Sequence, residues 1–147
     1  MPQSLIKVAI HVVFSTKERK NLIPEARQQE LWAYLGGIAR NKNIQLIIAG
    51  GMPDHVHLLF EMPATMTLAD VVKTFKANSS RWLREQYSEF AWQAGYGAFS
   101  VSPSHIATVK QYIATQPEHH KRRGFKTEFL LLLKKAGVDY DPRYVFD

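Results

Sequence analysis

The amino-acid sequence predicts an α+β fold, an antiparallel sheet carrying helices on one face, from three observations. Apolar, β-branched stretches at 6–14, 43–49 and 55–60 read as strands. Amphipathic helical patterns at about 24–41 and 67–87 are interleaved with them, and aromatic residues separated by glycines in 90–102 suit one or two short strands. The resulting order of strand, helix, strand, strand, helix, strand is the split β-α-β arrangement of ferredoxin-like (RRM-like) domains.

Each element has a local cause. Residues 6–14 are almost continuously apolar, as a central strand requires, and Ser15 to Asn21 forms a basic loop. Pro24 stands where a first helical turn begins, and Leu31, Leu35 and Ile38 recur at helical spacing. Gly36-Gly37 within that helix predicts a close packing contact. Gly50 to Asp54 supplies turn chemistry between two strands, predicting a hairpin. Thr67 and Asp70 form a capping pattern at the start of the second helix, with Val71, Phe75, Trp82 and Leu83 on one side and Lys73, Lys76, Ser80 and Arg84 on the other. Ser102-Pro103-Ser104 reads as a capped helix start, opening a third helix over 104–116. Pro117 interrupts it and pushes residue 116 from helical geometry. A fourth helix over 125–136 stops at Gly137. Such a sheet leaves one face open, and the C-terminal helices of this chain or a partner chain are available to cover it.

At 147 residues the chain is most simply one domain, 1–147. The cysteine count is zero, which excludes disulfides, thiolate nucleophiles and thiolate metal sites. The N-terminal stretch is punctuated by Lys7, His11 and Lys17, so no signal peptide or membrane span is expected and a cytoplasmic location is. A net charge of +6 and a pI near 9.6 favour a polyanionic partner.

Two constellations carry chemistry. In Gly51-Met52-Pro53-Asp54-His55-Val56-His57-Leu58-Leu59 the histidines share one strand face, their origins about 7 Å apart, and two neutral imidazoles can then converge on a divalent ion. In Val109-Lys110-Gln111-Tyr112-Ile113-Ala114-Thr115-Gln116-Pro117-Glu118-His119-His120, Tyr112 and Gln116 lie one turn apart and reach a common site, with His105 and Thr108 on the same polar face. A phenol is a poor nucleophile at neutral pH, and a metal that neutralises a phosphate makes its attack on phosphorus feasible. The bland alternatives are partly exposed strand histidines and a tyrosine at the rim of the core.

Together these two segments resemble the signatures of the single-tyrosine HUH transposases, the TnpA enzymes of the IS-two-hundred/IS-six-hundred-five insertion sequences. The resemblance runs from about Lys7 to the closing Asp139-Tyr140-Asp141-Pro142-Arg143-Tyr144. It implies cleavage and rejoining of single-stranded DNA at transposon ends through a 5′-phosphotyrosine, with release of a 3′ hydroxyl and no nucleotide cofactor. By that resemblance His55, His57 and Gln116 bind Mg or Mn, and Tyr112 is the nucleophile. It also implies a prokaryotic protein, recognition of DNA hairpins, and a homodimer with composite active sites.

Lys17, Arg19, Lys73, Lys76, Arg81 and Arg84 are DNA-binding candidates from charge and position, and Lys121-Arg122-Arg123 can touch phosphate or cap a helix. His119 and His120 are assigned to packing. Two other function classes remain: a binding-only single-strand module using Trp92, Tyr96 and Phe99 as stacking platforms, and a phosphoesterase using water, for which Asp54 or Glu61 would be the base.

Overall fold

The structure is a computed structural model and describes residues 3–121 and 123–146. Strands β1 (Ala9–Ser15), β2 (Gln45–Met52), β3 (His55–Glu61) and β4 (Gly97–Val101) form one antiparallel sheet in the order β2-β3-β1-β4. Helices α1 (Gln28–Asn41) and α2 (Leu68–Arg84) follow β1 and β3, so element order and strand order are those of the expected split β-α-β arrangement.

Alternation along the strands sorts the two faces. Val12 and Phe14 of β1 and Val56, Leu58 and Phe60 of β3 point toward α1 and α2, where they pack with Leu31, Leu35, Val71 and Phe75 in the main core. The opposite face carries Ala9, His11 and Val13 of β1 and His55, His57 and Leu59 of β3, with Val13 paired to His57 and Ser15 to His55. This second face is covered from within the chain. Helix α3 (Ile106–Ala114) packs Ile113 against Ala9 and Leu59, and α5 (Phe125–Ala136) packs Phe125, Phe129 and Leu133 against Val13. Between them lies the short α4 (Gln116–His119).

Two glycines let these helices approach the sheet. A Cβ on Gly50 would lie 2.8 Å from the Ile113 carbonyl oxygen, and one on Gly97 would lie 2.7 Å from the Phe129 ring. Both are contacts that only a bare Cα permits.

Several expectations are corrected. Gly50 and Gly51 belong to β2, leaving a two-residue turn at Pro53-Asp54. Gly50 therefore serves helix docking rather than a turn. Gly36 and Gly37 meet nothing closer than the Arg40 guanidinium, at 3.6 and 3.8 Å, so the predicted packing contact is absent among the described residues. Pro24 precedes a 3-10 turn, Glu25–Arg27, and α1 proper starts at Gln28. Thr67 does cap α2, accepting the Asp70 N–H at 3.1 Å, but that helix ends at Arg84, short of Tyr87. The 90–102 stretch does hold one short strand, β4, with an isolated bridge between Thr16 and Trp92 ahead of it. The Ser102 hydroxyl bonds the His105 ring at 2.6 Å and caps no helical N–H. The helix break falls at Thr115 (φ −109°, ψ 28°), one residue before the expected position, and Gln116 opens the next turn with Pro117 behind it. Proline is tolerated there because an N–H in a first turn has no helical acceptor.

Candidate active site

His55 and His57 are both fully buried, at 0% exposure, because β3 is the sheet's inner strand beside β1 and α3 and α5 close over it. The tight Pro53-Asp54 turn sets the Asp54 carboxylate 2.7 Å from His55 Nδ1. On the neighbouring strand His11 Nε2 lies 2.8 Å from His57 Nδ1 with the rings stacked. Each histidine thus has its Nδ1 engaged from behind, and both Nε2 atoms face the space under α3, α4 and α5.

Four groups converge on that space. Gln116 Oε1 is 3.2 Å from His55 Nε2. Glu128, on α5, brings Oε1 to 3.0 Å from His57 Nε2 and 3.4 Å from His55 Nε2. Its other oxygen accepts hydrogen bonds from the Tyr112 hydroxyl and from the Gln116 amide, the latter at 3.2 Å. His120 Nε2 stands 3.0 Å from Gln116 Oε1 and 3.3 Å from Glu128 Oε2. The His119 ring lies tilted by 33° against the Tyr112 ring, centroids 4.5 Å apart, and its Nε2 is 3.1 Å from the Thr115 hydroxyl. Tyr112 and Gln116 therefore do reach one site, despite the break between them.

The electrostatics follow from burial and from two carboxylates, Asp54 and Glu128. Burial drives His57 down to about 4, and burial with the neighbouring His57 drives His11 down to about 3, so both imidazoles are neutral. Burial also opposes a charge on His55, but the Asp54 and Glu128 carboxylates outweigh it and raise His55 to about 9. Burial works against the Glu128 charge as well; hydrogen bonds from His120, His55 and His57 override it and hold the carboxyl far below its usual range. Burial and the adjacent Glu128 push the Tyr112 phenol above its usual value. The neutral states give consistent hydrogen bonds: His11 Nε2–H donates to His57 Nδ1, and His57 Nε2–H donates to Glu128.

The donor set fits a divalent cation. His55, His57 and Glu128 each offer an atom within a 4.8 Å span. Neighbouring ligands of an ion held at about 2.1 Å stand about 3 Å apart, which matches the 3.0–3.4 Å separations here. The Asp54 and His11 contacts at the Nδ1 atoms are of the kind that orient imidazoles toward a cation.

A family profile described as "Transposase IS200 like" matches residues 4–116. The chain belongs to the IS200-like transposase family. The transposase for insertion sequence element IS200 from Salmonella typhimurium is 27% identical over 119 residues, covering 76% of this chain and 78% of that protein. The ISDra2 transposase TnpA from Deinococcus radiodurans is 27% identical over 114 residues, 72% and 81% of the two chains. A crystal structure from Deinococcus radiodurans R1, provisionally named a transposase, superposes with a TM-score of 0.64 at 26% identity, covering 79% of this chain and 95% of its own. A REP-associated tyrosine transposase solved with a REP hairpin shares the fold at TM-score 0.60 and 14% identity, over 82% and 73% of the chains.

In this transposase the site contains residues that the motifs did not name. Glu128 is one, and its sequence signal is a single acid on an otherwise apolar helical stripe, between Phe125 and Phe129. His11 is another, a polar residue inside the most apolar strand. His120, expected to serve packing, reaches Gln116 and Glu128. Glu61 stands at the far end of β3, four residues beyond His57, where it pairs with Lys7, whereas Asp54 is present as the partner of His55.

The basic candidates divide. Lys76 donates to the carbonyls of Gln93, Ala94 and Gly95, and Arg84 to that of Phe90, so both hold the chain that follows α2. Arg81 bonds Asn78, one turn back, and the Arg19 guanidinium lies over the Phe146 ring. Lys17 and Lys73 are exposed. Lys121 pairs with Glu118 at 3.4 Å, Arg122 lies outside the described residues, and Arg123 lines a cleft of about 730 Å³ with Tyr112, His105 and Thr108.

Proposed function

We propose that this transposase cleaves and rejoins single-stranded DNA at insertion-sequence ends by attack of Tyr112 on phosphorus. The observation that carries the reading is the convergence of the Tyr112 hydroxyl, the Gln116 amide and both His Nε2 atoms on Glu128. A nucleophile, a cation-binding set and a carboxylate in one pocket that joins an open cleft is a constellation for phosphoryl transfer.

The Tyr112 oxygen forms a bond to the 5′ phosphate while the bond to the 3′ oxygen breaks, and the departing oxygen takes up a proton as a 3′ hydroxyl. Rejoining reverses these changes with a different 3′ hydroxyl. Glu128, which accepts the Tyr112 hydrogen bond, is the group within reach of the phenolic proton. His55, His57, Gln116 and Glu128 would hold Mg or Mn, which supplies charge neutralisation at phosphate when bound. Asp54 and His11 keep the two imidazoles oriented, and α3 and α5 exclude water from them.

The same proposal takes the chain as one domain acting as a homodimer in the prokaryotic cytoplasm, with DNA hairpins at the element ends as partners. In favour of composite sites is the Thr115 break, which separates the tyrosine segment from α4 and gives it a point of rotation. A single chain also closes the site by itself, so exchange of α3 between subunits is an option of the fold rather than a requirement. Light scattering distinguishes a dimer from a monomer.

The reaction is tested with labelled single strands carrying the element ends, incubated with Mg or with EDTA and resolved on a denaturing gel. The reading expects metal-dependent cleavage of the single strand by the wild type, none by Tyr112→Phe, and none of the duplex. Cleavage that survives Tyr112→Phe would assign the chemistry to water.

A further inference from the structure

A groove of about 400 Å³ runs between α2 and residues 91–96, away from the histidine site. Its lining includes Lys73, Lys76 and Arg84 and no carboxylate. It also includes Ser80, which is 8% exposed and whose Oγ has no hydrogen-bond partner. A buried hydroxyl without a partner is costly, and one that lines a groove is explained when a ligand completes it.

The wall opposite α2 is held in place in advance. Lys76 gathers three successive carbonyls of that segment, and the Trp92 indole N–H donates to Ser79 Oγ at 3.0 Å. Tyr96, at the groove mouth, is 40% exposed and presents a free aromatic surface. A second hollow of about 220 Å³ shares Gln93 and Tyr96 with the groove and continues to Phe125, whose ring packs 4.8 Å from that of His55. The groove therefore leads by way of Tyr96 toward the catalytic pocket.

We propose that this groove is a subsite for an unpaired nucleotide of the DNA strand, the base stacking on Tyr96 and bonding Ser80 Oγ through its edge, its phosphate facing Lys73. The inference rests on the reading of this protein as one that acts on single strands. Aromatic surface, cationic rim and an unfilled hydroxyl are the three contacts a nucleotide uses, and a protein partner would not need all of them.

The test uses the full chain in EDTA at low salt. Fluorescence anisotropy measures binding of a labelled 20-nucleotide mixed-sequence strand and of an abasic strand of equal length. Wild type binds the strand with bases more tightly. Tyr96→Ala and Ser80→Ala each weaken that binding, Tyr96→Ala by about tenfold, the size of one stacking contact, and leave the abasic strand unaffected. Lys73→Gln weakens both strands and lowers the salt slope by roughly 0.7. Ser80→Ala keeps or raises the thermal midpoint, because it removes an unpartnered hydroxyl, whereas a purely structural hydroxyl would lower it. Variants that bind both strands as the wild type does overturn the subsite, and Tyr112-dependent cleavage by those same variants would leave the strand-transfer reading standing. A wild type that binds neither strand overturns both.

Discussion

Replacing Gly50 by alanine places a methyl group against α3, the helix that carries Tyr112, the proposed nucleophile. Gly50 pairs with His57 across the β2–β3 ladder, and its missing Cβ points at Ile113, the residue after Tyr112. The added carbon would stand 2.8 Å from the Ile113 carbonyl oxygen and 2.9 Å from its Cγ2. Comfortable carbon contacts begin near 3.5 Å, so α3 must retreat by about 0.6 Å or more. Overpacking of this kind costs about 1–3 kcal/mol. The retreat carries Tyr112 and Gln116 away from Glu128 and His55, and misplacing a reacting group by about 1 Å costs on the order of a hundredfold in rate. Urea denaturation reads the first quantity, and the initial rate of covalent DNA trapping reads the second. A variant with wild-type stability and wild-type trapping would refute the close docking of α3 on β2, and with it the explanation of how Tyr112 is positioned.

Three further outcomes follow from the site. Glu128→Gln is expected to weaken Mn binding by about ten- to a hundredfold, measured by calorimetry or by the Mn paramagnetic signal, and to lower the NMR titration midpoint of His55 from about 9; unchanged affinity would remove Glu128 from the donor set. In metal-free protein the buried neutral His57 and His11, at about 4 and 3, refuse protons that the unfolded chain accepts, so stability falls as pH drops below about 6.5. His55, raised to about 9, has the opposite sign, and its contribution is complete below about 6.5 and lost as pH rises through 9. Urea midpoints in EDTA should therefore be lower at both pH 5 and pH 9.5 than near 6.5, with the acid limb shallower in His57→Gln; a midpoint that rises toward pH 5 would contradict these assignments. Lys76→Met should lower stability by about 1–2 kcal/mol, since three carbonyls lose a charged donor, and a change confined to DNA affinity would instead make Lys76 a phosphate contact.

The sheet was legible because its signals are local. The β-branched runs and the Thr67 cap define elements without reference to anything distant, and Gly137, with φ 69°, stops α5 where its position predicts. His55 and His57 share a face by alternation alone, and helical spacing brings Tyr112 and Gln116 to one site even though the helix breaks at Thr115 between them. What the sequence obscured depends on packing across the sheet. Gly50 reads as a turn residue in isolation, and only the seating of α3 reveals why a side chain is excluded there. Glu128 joins the histidines from 71 positions away, and no spacing rule links them. Lys76 looks like part of a phosphate stripe until residues 93–95 are seen to fold around its ammonium group.

The central claim is that Tyr112 becomes covalently joined to DNA. Peptide mapping by mass spectrometry of protein incubated with single-stranded element ends and Mg tests it most directly. The account predicts a nucleotide adduct on the peptide containing Tyr112, linked through a 5′ phosphate, together with a released strand whose 3′ hydroxyl a polymerase can extend. An adduct on any other residue, or cleavage with no adduct and a 5′ phosphate free in solution, would contradict it.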